Sequence, residues 1–223
     1  VLTDWDYGLY LYNSNSNSIT NITANSNSQG LYLYGSDYST LTNITANYNS
    51  NGILLDNSNS NTLTNITANS NSQGLYLYYS NSNTLTNITA NSNTNGIYLQ
   101  SSDYNTIKDS KFQDNTNGIY LFSPFNNLIY NNLFNNTNNF YFDGTIYANY
   151  WNTTKQPGTR IYSPGNEIGG NYWTNPNGNG YSDTCNDADT DGFCDDPYTL
   201  TTDNIDYLPI AKAVGQYAPA PTL

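Results

Sequence analysis

The sequence predicts a parallel β-helix, an all-β solenoid of 22-residue coils, on three observations. One phrase recurs from Gly8 to Phe122: a glycine, a Leu/Ile-Tyr-Leu stretch, an Asn/Ser run, then Thr-Leu-Thr-Asn-Ile-Thr-Ala-Asn. Its landmarks hold one step without an insertion. Gly8, Gly30, Gly52, Gly74, Gly96 and Gly118 are each 22 residues apart. Ile19, Leu41, Leu63, Leu85, Ile107 and Ile129 keep that step, as do Ala24, Ala46, Ala68, Ala90, Phe112 and Phe134. A fixed period in this range is the mark of a solenoid. Within a repeat the apolar residues are spaced by two, which is strand spacing.

Each element follows from the phrase. In the stretch from Gly30 to Tyr34 the leucines face one way and the tyrosines the other. Leu41 and Ala46 flank Thr-Asn-Ile-Thr, which reads as two short strands meeting at a bend. Three short strands per turn, stacked on those of the next turn, make the coil, and successive coils rise by about 4.8 Å. Leu9, Leu31, Ile53, Leu75, Ile97 and Ile119 form one inner stack, and Leu11, Leu33, Leu55, Leu77, Leu99 and Leu121 the next. Asn25, Asn47, Asn69 and Asn91 share a column in which amides can hydrogen-bond along the stack. Asn and Gly suit the bends, since both tolerate left-handed backbone angles.

Repeats therefore occupy 1–143 and an irregular C-terminal cap occupies 144–223. No helix-like cap precedes Gly8, so the start reads either as a trimmed fragment or as an end that another subunit covers. No secretory signal stands there, and Val1 reads as a mature terminus or a fragment boundary. After Asp103 the repeats diverge: Lys108, Asp109, Lys111 and Asp114 gather charge, and Phe112, Phe125, Phe134 and Phe140 bring larger side chains. Trp151 and Trp173 are expected to pack on the final coil.

Composition narrows the function. The 223 residues carry a net charge of −12, which argues against nucleic acid and anionic membrane surfaces as partners. No apolar run approaches the roughly 18 residues needed to span a bilayer. Cys185 and Cys194 lie close together in an acidic loop. A local disulfide there fits an oxidising, extracytoplasmic setting, and free thiols are the alternative.

Four features are candidate sites. Outward tyrosines fall in register at Tyr10, Tyr32, Tyr76, Tyr98 and Tyr120, interrupted by Leu54. They read either as a ladder of strand-favouring aromatics or as a flat platform for sugars or a neighbouring rod. Asn21, Asn43, Asn65, Asn87, Asn135 and Asn152 begin N-glycosylation triplets. Pointing inward, the repeated ones would form a hydrogen-bonded ladder; pointing outward, they could carry glycans. Asp187, Asp189 and Asp191 alternate ahead of Gly192, with Asp195 and Asp196 close behind. Alternating carboxylates before a glycine turn can wrap a hard cation such as calcium, in a structural role. The twelfth position of a full EF-hand loop needs Glu and here is Tyr198, and the plain alternative is a solvated acidic turn. The fourth feature is the charged coil, where Asp109 and Asp114 with Lys108 and Lys111 are the best catalytic group available.

The coils resemble the right-handed, single-stranded parallel β-helix repeats of the NosD-like and pectin-lyase-like families. Asn149-Tyr150-Trp151-Asn152-Thr153-Thr154, Gly170-Asn171-Tyr172-Trp173, Asp187-Ala188-Asp189-Thr190-Asp191-Gly192 with Pro197-Tyr198, and Asn204-Ile205-Asp206-Tyr207-Leu208-Pro209 are similar to the ending of archaeal surface proteins of this class. The resemblance implies an exported cell-surface protein and suggests calcium in the acidic loop. The copper role attached to the NosD name does not carry over, because the chain has no His and no Met.

Hydrolysis of a glycan needs two carboxylates on one groove, yet Glu167 is the only Glu and no outer column carries Asp in successive coils. A lyase needs a base near calcium, and Lys108 and Lys111 are the only basic residues of the repeats. A catalytic site also tends to break a repeat with inserted loops. The expectation is a non-catalytic extracellular structural protein that self-assembles head to tail into a filament or sheath, the contact involving the Ala218–Leu223 tail and the Val1 end. The alternative is a monomeric polysaccharide-binding or adhesion module using the tyrosine face, and a polysaccharide lyase or hydrolase stands behind both.

Overall fold

A computed structural model describes residues 1–213; the 218–223 tail, and with it the expected tail contact, lies outside the described residues. The chain is a parallel β-solenoid. One sheet stacks seven parallel strands: Tyr7–Tyr12, Gln29–Tyr34, Asn51–Asp56, Gln73–Tyr78, Asn95–Gln100, Asn117–Phe122 and Asn138–Asp143. The second sheet contains Ser18–Thr20, Thr40–Thr45, Thr62–Thr67 and Thr84–Thr89, then pairs of shorter strands. Register is the 22-residue step itself, as in Leu31 beside Ile53 and Leu41 beside Leu63. In the middle coils the two short strands expected after the Asn/Ser run form one six-residue strand, bent at its centre. The core is the expected set of columns, with Leu31, Leu33, Leu41, Ile53, Leu55 and Leu63 all at 0% exposure.

Four corners shape each coil, and each is a residue in the left-handed region. They recur as columns led by Asn13, Ser16, Asn21 and Ser26; the third holds Asn21, Asn43, Asn65, Asn87, Asp109 and Asn131, with φ between 52° and 59°. Asn reaches this region at the least cost among residues with a Cβ. The repeated glycines are not at these corners, contrary to expectation. A Cβ on Gly52 would stand 2.5 Å from the carbonyl oxygen of Gly74, and one on Gly30 would meet Gly52 at 2.4 Å. Glycine is required there by the close approach of coils, not by an unusual φ.

Corners interrupt the sheet ladder, and side chains replace it. The amide N–H of Asn27 donates to Oδ1 of Asn49 at 2.7 Å, Asn49 likewise to Asn71, and Asn71 to Asn93. Nδ2 of Asn71 donates back to the Ala46 carbonyl at 3.1 Å, so each member of this buried column ties coils on both sides. Ser36, Ser58 and Ser80 do the same at another corner. The Asn25 column works in reverse and through the backbone: Oδ1 of Asn25 accepts from the N–H of Asn47 at 2.8 Å. A buried backbone N–H left unpaired would be costly, and these columns leave few.

The segment after 143 completes a last coil as well as covering it. Tyr172–Thr174 adds a parallel strand beside Leu133–Asn135, and Tyr150 bridges to Leu128. The ladder partner of Asn132 is Asn171, a step of 39 residues in place of 22, so about 17 extra residues (39 − 22) leave the coil and return. Trp173 stacks on Phe134 with centroids 4.6 Å apart and planes 8° apart, and Trp151 lies beside it at 5.6 Å. The indole N–H of Trp173 donates to Oδ2 of Asp206 at 2.8 Å, and that of Trp151 to Oδ1 of Asn204 at 3.0 Å. Asp206 is fully buried and also accepts the N–H groups of Asn171 and Leu208. Burial pushes its carboxyl up to about 7, against the opposing pull of these hydrogen bonds.

Asn71→Ala is expected to strand the N–H of Asn49 and the carbonyl of Ala46, costing about 1–3 kcal/mol for each, while Ser72→Ala on the exposed face changes stability by under about 0.5 kcal/mol; urea unfolding of the two variants decides it. Asp206 binds its proton more tightly in the folded state than in the unfolded state. Its contribution to stability is therefore complete below about pH 4 and lost as pH rises to about 7. Trp173 fluorescence should report that titration, and Asp206→Asn should remove it.

Candidate functional site

The tyrosine column is built by the first sheet. Tyr10 and Tyr32 are register partners, and their rings stack at 4.9 Å; Tyr76 and Tyr98 stack at 4.6 Å with planes 6° apart. In both pairs one ring covers a face of the next, so those faces turn along the rod, whereas Tyr98 meets Tyr120 edge-on at 4.6 Å with planes 68° apart and Leu54 parts the two pairs. The geometry is that of the ladder rather than of a flat platform. Hydroxyls of alternate tyrosines reach an acceptor one coil further on: Tyr32 to Asp56 at 3.0 Å, Tyr76 to Gln100 and Tyr120 to Asp143, both at 2.5 Å. Burial raises the Tyr32 and Tyr76 phenols, Tyr76 to about 12, and the hydrogen bond to Asp143 raises that of Tyr120. All three remain donors at any ordinary pH.

Asn21, Asn43, Asn65 and Asn87 sit at exposed corners. They are nevertheless a ladder, Nδ2 of each donating to Oδ1 of the one before at 3.2, 3.0 and 2.7 Å. Outward orientation and a hydrogen-bonded column, read from sequence as alternatives, coexist. Asn135 and Asn152 are half-buried, and Asn152 is tied to the N–H of Tyr207.

Cys185 and Cys194 form a disulfide that closes the acidic loop. Three of the five candidate aspartates converge: Asp187, Asp189 and Asp195 each offer a carboxylate oxygen within 4.8 Å of the others. Asp191 is drawn elsewhere, bonding Lys155 and accepting the N–H of Phe193 at 2.9 Å. Burial alone would raise the Asp191 carboxyl, but those two partners outweigh it and hold it below its ordinary value. Asp196 also stands apart from the cluster, and its carbonyl accepts the Tyr181 hydroxyl at 2.8 Å. Oδ1 of Asp187 is buried and has no hydrogen-bond partner. Behind the loop, the Arg160 guanidinium lies 4.5 Å over the Phe193 ring and donates to the carbonyls of Glu167, Pro164 and Asp191. No sequence pattern announces Arg160 or Lys155, because their partners lie outside any period.

Lys108 and Asp109 form a half-buried ion pair at 3.7 Å. Asp109 and Lys111 line a cleft of about 540 Å³ with Asn87, Asn131 and Arg160; its single carboxylate, Asp109, accepts Nδ2 of Asn131 at 2.6 Å. That is one carboxylate where two-carboxylate hydrolysis needs a pair.

Residues 1–178 match the family described as periplasmic copper-binding protein (NosD). The chain belongs to the NosD family. Among solved structures it is similar to the Azotobacter vinelandii mannuronan C-5 epimerase AlgE6 A-module, at 11% identity and a TM-score of 0.39. That match covers 63% of this chain and 54% of the module, so the chain spans about half the module's length. No curated protein matches the chain. The copper of the NosD description finds no fitting donors here: the chain has no His and no Met, and both Cys are in the disulfide. Its concentrated donors are carboxylate oxygens, which suit hard cations. Among the described residues no helix is long and apolar enough to cross a membrane.

Replacing Cys185 and Cys194 together by Ser should loosen the loop by about 2–3 kcal/mol, the loop-closure value for roughly ten residues. Limited proteolysis should then cut between 185 and 194, while the main unfolding transition of the coils stays in place.

Proposed function

We propose that this NosD-family chain is a non-catalytic structural rod, exported to the cell surface, that assembles head to tail with copies of itself into a filament or sheath. The observation that carries this reading is the unbroken coil from Gly8 to Phe122, whose ladders are satisfied within the wall and leave no inserted loop to build a cleft. The disulfide supports an oxidising compartment, in keeping with the periplasmic description of the family. Trp151, Trp173 and the segment around them close the C-terminal end of the core. The junction this reading calls for is therefore made by cap surface rather than by pairing of open strands. The second reading, a polysaccharide-binding face, draws support from the outward tyrosine column, although the rings spend their faces on one another.

Calcium in the acidic loop belongs to the same proposal. Its support is the convergence of Asp187, Asp189 and Asp195 and the unpartnered oxygen of Asp187. Calcium would hold the loop in a fixed shape on the cap surface where neighbours meet.

Electron microscopy of the purified protein, with and without a chelator, tests both parts. Filaments with an axial repeat near one subunit length are expected in calcium, shortened or lost on chelation. Monomers under both conditions would overturn assembly, and filaments indifferent to chelation would separate the acidic loop from the junction.

A further inference from the structure

One outer column changes character where the repeat diverges. Asn15, Asp37, Asn59, Asn81 and Asp103 occupy it in successive coils, and Oδ1 of each accepts the backbone N–H of the residue one coil on, at 2.6–2.9 Å. The residue after Asp103 is Phe125, whose ring has no oxygen with which to continue the ladder. Tyr147 follows, its ring 6.0 Å from that of Phe125 with planes 67° apart, and Tyr104 meets Phe125 edge-on at 5.3 Å. These changes open a surface cleft of about 540 Å³, lined by Asp103, Phe125 and Tyr147 with the hydroxyl-bearing Ser101 and Ser123.

The chemistry of the cleft is specific. Asp103 spends one carboxylate oxygen on the N–H of Phe125, and the described residues offer its other oxygen no hydrogen bond. Burial raises its carboxyl, though that N–H opposes the rise. Neither Lys nor Arg lines the cleft, and the chain as a whole is at −12. A half-buried carboxylate beside two rings set at a steep angle offers a counter-charge and aromatic walls at one place. Cations carrying apolar substituents are held by that combination, the charge meeting the carboxylate and the methyl or methylene groups meeting the ring faces. A neutral sugar would leave the desolvated carboxylate without its counter-charge.

We infer that the cleft between Asp103, Phe125 and Tyr147 is a binding site for a small alkylammonium ion. The site is independent of the rod's assembly, since it lies on the flank of the fifth to seventh coils and uses no residue of the acidic loop.

The repeat supplies its own controls. Asp103→Asn and Phe125→Asn each install the residue that this column carries elsewhere, so both should keep the fold, and thermal unfolding checks that they do. Calorimetric titration with tetramethylammonium chloride, against sodium chloride at equal ionic strength, should show saturable binding to the wild type. Asp103→Asn should weaken it about tenfold or more, the loss of one charge partner, and Phe125→Asn about fivefold, the scale of one cation–π contact. Removing one charge of twelve leaves diffuse attraction almost unchanged, so equal binding by Asp103→Asn would overturn the site. Absence of saturable binding by the wild type would also overturn it, as would binding of maltose in place of tetramethylammonium.

Discussion

The structure depends on closing each corner of a 22-residue coil without leaving backbone groups unpaired. Between corners, the parallel ladders join one coil to the next. At the corners the chain turns through a left-handed residue and the regular ladder lapses. Side-chain oxygens then take over as acceptors, with Asn49 and Asn71 on the inside and Asn25 and Asn59 on the outside. The Asn and Ser content is thus a consequence of geometry: amides and hydroxyls are short, uncharged groups able to reach across one coil spacing. The same spacing brings the glycine column so close to its neighbours that no Cβ fits.

Periodicity made most of the coil legible. A column read from the 22-residue step needs no knowledge of which residues touch, because stacking makes them touch, and the inner Leu and Ile stacks follow at once. Direction within a column was harder to read. Asn25 and Asn27 are two residues apart and identical in type, yet one points outward and the other is 6% exposed. The bend between Ala24 and Asn27 decides this, and strict alternation cannot follow a left-handed corner. Ring orientation was likewise hidden, since a tyrosine column is the same string whether its faces look outward or along the rod.

The cap was legible in outline only. Its tryptophans announced themselves as apolar bulk, but the partners that fix them, Asn204 and Asp206, lie 53 and 33 residues away with no period to point to them. Asp191 shows the same limit: alternation grouped it with Asp187 and Asp189, and Lys155, 36 residues back, removed it. A sequence motif lists potential ligands, while the packing of distant segments selects among them. The NosD family name meets the same test, for a fold hosts a site only where the donors are present.

Charge distribution follows from the stacking rule. Between residues 8 and 102 the only charged side chains are Asp37 and Asp56, and they occupy different columns. A column of like charges would set neighbours about 4.8 Å apart, each pair costing roughly 1 kcal/mol even in water, and the cost would accumulate along the rod. Neutral polar columns are the solution that such a repeat permits, so the low charge of the coils says little about what they bind. The constraint lapses where the repeat diverges. There Asp103 faces aromatic neighbours, Lys108 pairs with Asp109, and the aspartates of the disulfide loop gather. In a solenoid this regular, departures from the period are where side chains are free to be chosen for something other than stacking, and the acidic loop and the Asp103 cleft both lie among them.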